Sequence, residues 1–191
     1  MGFEGKEALI TGAAEGIGNV DVRFFADEGR PIEADIAESG GEALFIKLGV
    51  TSEDDWACAV DVVVARFGRL DVRVNNAGVW HYGTVEETPA DAWDRVMDVN
   101  VKVPFLGTQA AIPVMRRNEG GSIINISSVA GLVGNRKPTA YNASKGAVRI
   151  LTKSALDPVR PGGHPGQPCA SRGRFHLDDV RCLPRSRGAR G

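Results

Sequence analysis

Two side chains of this sequence, Tyr141 and Lys145, have the types and the spacing for acid–base chemistry. Residues four apart share one face of a helix, so these two would be neighbours. A free tyrosine has a pKa near 10, and a nearby ammonium favours the tyrosinate, the form that accepts a proton. A lone pair of this kind is more often structural than catalytic, so the prediction depends on what accompanies it.

A glycine-rich segment runs from Thr11 to Gly18 with the sequence TGAAEGIG. Glycines let backbone amides approach a pyrophosphate, and the start of a following helix favours its negative charge. The alternative is a glycine turn that binds nothing. The candidate cofactor-binding residues here are Gly12, Glu15, Gly16, Ile17 and Gly18.

A second turn, Asn75-Asn76-Ala77-Gly78, follows a short apolar run. Its simplest interpretation is a turn stabilised by asparagine side chains. Both turns come directly after predicted strands, and ligands of parallel sheets bind outside the carboxyl ends of the strands. The shared location therefore supports a binding site more strongly than either motif alone.

Apolar runs and helical periodicities alternate through the first 156 residues. Strands joined by helices predict a parallel sheet covered on both faces, the α/β class. The predicted strands are 7–11, 43–50, 70–74 and 122–127. Helices are predicted at 16–28 and 139–156. A third predicted helix is capped by Thr51 and Ser52 and ends near Phe67. A fourth is capped by Thr88, has Pro89 as its first residue, and ends near Arg117 with a bend at Pro104 or Pro113.

Over residues 3–156 these motifs resemble the short-chain dehydrogenase/reductase family. The resemblance implies a Rossmann-like, doubly wound parallel sheet with three αβα layers, truncated at its C-terminal end. It also implies an oxidoreductase that transfers a hydride between NAD(P) and the CH–OH group of an alcohol or ketone. Asn76, Ala77 and Gly78 would border the adenosine side of the cofactor.

The resemblance also assigns catalytic roles. Tyr141 would be the general acid or base, and Lys145 would hold the cofactor ribose and tune the tyrosine. Ser128, 13 residues before Tyr141, would hydrogen-bond the substrate oxygen, and Asn100 would support a water-linked proton path to Lys145. Ser127 is the rival for Ser128; neighbouring strand residues face opposite ways, and the family spacing favours Ser128.

Two carboxylates indicate NAD rather than NADP. Glu15 lies where relatives that prefer the phosphorylated cofactor often carry a basic residue, and it would repel a 2′-phosphate. Asp35 lies 23 residues after Gly12, near the spacing of a carboxylate on the ribose hydroxyls. Asp35 has an alternative interpretation as a remnant of a lost helix.

The sequence departs from the family pattern in three places. Between Gly29 and Glu42 there is room for no full helix, and Gly49 replaces an aspartate that often contacts adenine. Residues 157–191, rich in arginine, proline and glycine, form an atypical tail that we expect to be disordered. One hypothesis is a frameshift near residues 154–160. The alternative function is an inactive remnant that binds cofactor weakly or pairs with intact relatives.

Composition argues against several other functions and locations. A formal net charge of −1 and no long apolar run argue against nucleic acid and membrane partners. The polar start is not expected to be a secretion signal, so a cytoplasmic location is expected. The scattered cysteines and histidines fit neither disulfides nor a metal site. From the resemblance we expect a homo-oligomer through the helices near 89–117 and 139–156.

Overall fold

Three short parallel strands and the helices between them make up the described part of the chain. The computed structural model describes residues 6–12 and 43–155. The elements are β1 (Ala8–Ile10), α1 (Glu53–Phe67), β2 (Val72–Asn75), α2 (Ala90–Met97), a π-helical turn (Asp98–Lys102), α3 (Val103–Arg117), β3 (Ser122–Asn125), α4 (Ala130–Val133) and α5 (Thr139–Ser154).

The sheet has the order β1-β2-β3 with every pair parallel. Ala8 is opposite Val72, and Asn75 is opposite Asn125, so the three carboxyl ends lie side by side. This confirms the α/β class and the predicted strands at 7–11, 70–74 and 122–127, apart from one or two residues at their ends. It also brings the segments that follow β1, β2 and β3 to one edge.

Helix α1 begins and ends where its sequence signals place it. Ser52 is the N-cap, and its Oγ accepts a hydrogen bond from the Asp55 backbone N–H at 3.3 Å. Gly68 ends the helix with φ of 78°, and its N–H donates to the Val64 carbonyl at 2.8 Å. The predicted cap and the predicted end at Phe67 are both confirmed.

The helix predicted from 89 to 117 is wrong in one respect, because it is interrupted by the π-helical turn. Within that turn the Val103 N–H bonds to the Asp98 carbonyl, five residues back. Thr88 is also not the cap: its hydroxyl donates to the Thr84 carbonyl at 2.6 Å, and Pro89 is the N-cap. Pro113 lies inside α3.

The strand predicted at 43–50 is wrong as well. Residues 43–49 do not belong to the three-stranded sheet of the described residues. The period of two in this segment is real, because Ile46, Leu48 and Val50 pack against the two core clusters while Phe45 is 67% exposed. An apolar run alone does not define a strand, which also needs a hydrogen-bonded neighbour.

The core lies between α1 and α3. Val60 and Val63 of α1 meet Ala111 and Met115 of α3, with Leu70 beneath them. A smaller cluster joins Trp56 to Val103 and Leu106. Burial of these side chains fixes α3 over the sheet and, through the π-helical turn, fixes the position of Asn100.

Several predictions fall on residues outside the described ranges. They concern the helix at 16–28, the shortened segment 30–41, the frameshift hypothesis and the tail 157–191, and each stays a prediction. None of the helices in the described ranges has the length and apolar character needed to cross a membrane.

Helix α4 packs against α5 through a glycine. A Cβ added to Gly131 would lie 2.5 Å from the Lys145 carbonyl carbon and 2.7 Å from the Gly146 backbone nitrogen. By contrast, a Cβ on Gly146 would meet the Gly131 carbonyl oxygen at 3.6 Å, an ordinary contact.

We therefore expect Gly131→Ala to destabilise the fold by about 1–3 kcal/mol, because backbone must shift to admit the methyl group. The matched variant Gly146→Ala should be neutral or stabilising by up to about 1 kcal/mol, since alanine favours helix. Urea unfolding of both variants measures the difference. Equal stabilities would show that α4 does not pack on α5 in this way.

Candidate active site

Thr11 joins the two turns at the carboxyl ends of β1 and β2. Its Oγ1 accepts hydrogen bonds from the backbone N–H groups of Asn76 and Ala77, both at 3.3 Å. In return the Asn76 side-chain amide donates to the Thr11 carbonyl at 3.0 Å. The Thr11 N–H donates to the Val74 carbonyl at 3.1 Å. This reciprocal set of bonds holds the glycine turn and the Asn-Asn-Ala-Gly turn together.

Gly12 occupies a position that only glycine suits. Its φ is 69°, and an added Cβ would lie 2.9 Å from the Ala77 Cα. A side chain at this position would clash with the second turn, so the absence of one lets the two turns pack together. The remaining candidates of that turn, Glu15, Gly16, Ile17 and Gly18, lie outside the described residues, as does Asp35.

Asn100 links three parts of the site. It lies in the π-helical turn and is 1% exposed. Its Oδ1 accepts from the Val79 N–H at 2.8 Å, and its Nδ2 donates to the Val79 carbonyl at 2.9 Å and to Ser144 Oγ at 3.0 Å. Ser144 in turn donates to the Tyr141 carbonyl at 2.8 Å. The segment after Gly78 and the helix of Tyr141 are thus held by one amide.

The ammonium of Lys145 is buried beside these groups. It donates to the Ile126 carbonyl at 2.7 Å and lies 5.6 Å from the centre of the Tyr141 ring. A Cβ on Gly78 would come within 3.9 Å of Lys145 Nζ and 3.3 Å of Asn100 Oδ1, so Gly78 leaves this approach open. Burial lowers the pKa of Lys145 to about 8.

The two serines after β3 make different contacts. Ser127 Oγ donates to the Lys145 carbonyl at 2.9 Å, which ties it to the backbone of α5. Ser128 Oγ accepts from the Ala130 N–H at 3.2 Å at the start of α4. Among the described residues, Ser128 makes no hydrogen bond to Tyr141. Its hydroxyl hydrogen is therefore left for another acceptor.

Two aromatic side chains lie in the segment after Val79, which is bonded to the start of α5. Trp80 and Tyr82 are each 63% exposed and contact one another edge to face, with ring centres 5.7 Å apart. The Thr139 N–H donates to the Gly83 carbonyl at 3.1 Å, which attaches this segment to the first turn of α5. The aromatic pair thus lies on the same side of the molecule as the start of the tyrosine helix.

At Gly49 another residue fills the space of the missing side chain. The Asp55 carboxylate accepts the Gly49 N–H at 2.8 Å, and a Cβ on Gly49 would lie 2.5 Å from Asp55 Oδ2. Asp55 Oδ1 also accepts from the Ser52 hydroxyl at 3.2 Å. A carboxylate is therefore present at this point, supplied by α1 rather than by residue 49.

Two residues of the site escaped the sequence analysis. Ser144, fully buried, connects Asn100 to Tyr141; its position three residues after the tyrosine was an available signal. Arg73, also fully buried, donates to the Leu9 and Val74 carbonyls at 2.9 and 2.6 Å. An arginine inside an apolar strand was the signal there.

Comparison with known proteins gives consistent matches. The family model described as short chain dehydrogenase matches residues 6–163. Cyclopentanol dehydrogenase of Comamonas sp. (strain NCIMB 9872) is 41% identical over 169 residues, covering 82% of this chain and 68% of the relative. Trans-4-hydroxycyclohexanecarboxylate dehydrogenase of Sinomonas cyclohexanicum is 43% identical over 172 residues, covering 80% and 66%.

A solved structure matches as well. The crystal structure of NAD+-bound xylitol dehydrogenase superimposes with a TM-score of 0.75 at 35% identity. The match covers 81% of this chain and 65% of that one, so the chain spans about two thirds of the length of the proteins it resembles. The likeness confirms the Rossmann-like architecture.

Burial of Lys145 predicts a pH dependence of stability. Its pKa is about 8 in the folded chain against an ordinary 10.5, so between these values the unfolded chain binds a proton that the folded chain does not. Stability should therefore rise with pH across this window, by up to about 3 kcal/mol. Urea unfolding at pH 7.5 to 10.5 measures the rise.

The comparison uses two lysines of the same helix. Lys145→Met should remove this part of the rise, while Lys153→Met, which changes an exposed lysine, should keep it. Identical pH profiles for the wild type and Lys145→Met would contradict the burial of the ammonium.

Proposed function

The chain belongs to the short-chain dehydrogenase family, and on that premise we propose that it oxidises a small alcohol or reduces the matching ketone with NAD. The observation that carries the proposal is the convergence of Tyr141, Lys145, Asn100 and Gly78 beside the carboxyl end of the sheet. The named relatives that act on cyclic alcohols support this substrate class.

The residues present fit a nicotinamide dinucleotide. Gly12 has a φ of 69° and packs directly against Ala77, so the start of the glycine turn has the tight conformation that a pyrophosphate-binding turn needs. Lys145 carries three N–H donors, and among the described residues its ammonium gives a hydrogen bond to the Ile126 carbonyl alone. The other donors are available to the ribose hydroxyls. Asn76, Ala77 and Gly78 would border the adenosine side, and Gly16, Ile17 and Gly18 would complete the turn.

The proposed chemistry assigns one task to each side chain. When bound, the dinucleotide supplies the hydride acceptor for oxidation or the donor for reduction. Tyr141 Oη takes the proton of the substrate hydroxyl in oxidation and returns it in reduction. Lys145 provides the positive charge that favours the tyrosinate. Ser128 donates its hydroxyl hydrogen to the substrate oxygen.

Asn100 holds this arrangement in place. Its bonds to Val79 and Ser144 fix the turn after β2 relative to the tyrosine helix, and we assign it the support of a water-linked proton path to Lys145. Ser127 does not share the role of Ser128, because its hydroxyl is committed to the Lys145 carbonyl.

The cofactor preference is proposed to be NAD over NADP. Glu15 would repel the 2′-phosphate, and Asp35 would accept hydrogen bonds from the ribose hydroxyls. The Asp55 carboxylate beside Gly49 adds a further negative group near the end of segment 43–50. A cytoplasmic location remains the expectation for such an enzyme.

The alternative is an inactive remnant with weak cofactor binding. The position of 43–49 outside the sheet and the glycine at 49 favour it. Titration of the purified chain with NADH and NADPH, followed by nucleotide fluorescence, separates the two. Saturable binding that is tighter for NADH supports the NAD-dependent enzyme. No binding at millimolar nucleotide supports the inactive remnant.

We expect Tyr141→Phe to reduce kcat for a panel of cycloalkanols by at least about 100-fold, because the general acid and base is lost. Its NADH affinity should change little, since the phenyl ring remains. Tyr82→Phe is the matched control and should retain most of the turnover. Steady-state kinetics with NAD checks both variants; full activity of Tyr141→Phe would refute the assignment.

We also propose a homo-oligomer through the helices near 89–117 and 139–156. Phe105 of α3 and Ile150 of α5 are 46% and 58% exposed, and Phe105 shares a shallow depression with Met97, Val101 and Leu151. Such apolar surface is typical of an interface between copies.

Light scattering after gel filtration should therefore report a dimer or larger for the wild type. Phe105→Glu should reduce the mass to that of the monomer, because it would bury a charge at the interface. Val62→Glu, at an exposed position of α1, is the control and should leave the mass unchanged. A monomeric wild type would contradict the proposal.

A further inference from the structure

Arg73 is a charged residue in a place that normally excludes charge. It lies in the middle strand of the sheet and is 0% exposed. A buried cation is costly unless an anion accompanies it. Among the described residues, the ion pairs join Lys6 and Arg69 to Asp71 and Lys137 to Glu87, and none includes Arg73.

Neutral oxygens and an aromatic ring surround the guanidinium. Nη1 donates to the Leu9 and Val74 carbonyls, and Nη2 lies 3.5 Å from Thr11 Oγ1. The guanidinium carbon stands 4.5 Å from the centre of the Trp56 ring. These contacts satisfy N–H groups and shield the cation from water, but no carboxylate of the described residues pairs with it. The Nε hydrogen has no partner in the described structure.

The location of this charge is specific. Its polar contacts are with Leu9, Thr11 and Val74, which lie in or directly after β1 and β2. The Val74 carbonyl that accepts from Arg73 also accepts the Thr11 N–H, and Thr11 Oγ1 receives the N–H groups of Asn76 and Ala77. The guanidinium is therefore linked through Thr11, the neighbour of Gly12, to the second turn.

We propose that Arg73 is a positioning residue whose buried charge attracts the pyrophosphate of the dinucleotide to the ends of β1 and β2. The inference rests on the proposed function. A charge enclosed by protein acts over several ångströms with little screening by salt. Its long-range attraction for the doubly negative pyrophosphate would add to that of the backbone amides in the glycine turn.

The cost of this charge to the fold makes the proposal testable. Arg73→Met removes the charge and keeps a long unbranched side chain, whereas Arg73→Lys keeps the charge. The methionine variant should unfold at a higher temperature than the wild type, because a buried unpaired cation is gone. A residue that served stability alone would show the opposite effect.

Inorganic pyrophosphate is the first probe, measured as the rise in unfolding temperature that it causes in each variant. We expect a clear rise in the wild type and in Arg73→Lys, and a much smaller rise in Arg73→Met at both 50 and about 300 mM salt. NADH affinity should fall roughly tenfold in Arg73→Met. Lys153→Met, which removes an exposed charge, should match the wild type.

The outcomes separate the two proposals. If the wild type responds to pyrophosphate but not to NADH, and Arg73→Met loses the response, the role of Arg73 is supported and the proposed dehydrogenase function is refuted. A pyrophosphate response that is absent in the wild type, or equal in the wild type and Arg73→Met, overturns the role of Arg73. Arg73→Leu serves as the second neutral variant if the methionine variant does not fold.

Discussion

One buried amide holds the parts of the candidate active site together. The side chain of Asn100 bonds to both backbone groups of Val79 and to Ser144, so it connects the turn after β2 with the helix that carries Tyr141 and Lys145. An unpaired amide at this depth would cost free energy, which makes the three bonds obligatory rather than incidental. Asn100 lies within the π-helical turn, and such turns are often found at functional sites.

A second constraint lies at the ends of β1 and β2. The hydroxyl of Thr11 and the amide of Asn76 hold two turns against each other, and the absence of a side chain at Gly12 lets them meet. The buried guanidinium of Arg73 lies beside Thr11 and forms no ion pair with any of the described residues. On our proposal, the buried charge lowers the stability of the fold and makes this closely packed edge positive. That exchange is intelligible if the edge receives an anionic ligand.

Local signals predicted some of these features well. The cap at Ser52, the strands before the two turns, and the shared helix of Tyr141 and Lys145 all follow from nearest-neighbour chemistry, and the structure confirms them. The π-helical turn could not be predicted, because it depends on the distant partners of Asn100. The strand predicted at 43–50 was wrong for a similar reason, since pairing needs a neighbouring strand that an apolar run does not reveal. Ser144 and Arg73 escaped notice because their roles come from contacts across elements. The catalytic roles of Ser128 and Tyr141 remain predictions.

We propose that this chain transfers a hydride between NAD and an alcohol carbon at the Tyr141 site. Incubation with NADH deuterated at the transferable position of the nicotinamide, together with cyclopentanone, tests it most directly through the mass of the alcohol product. Cyclopentanol carrying one deuterium on its carbinol carbon is the predicted result, and it should be absent with the Tyr141→Phe variant. A folded wild-type chain that yields no deuterated alcohol from this ketone or from a panel of cyclic ketones would contradict the account.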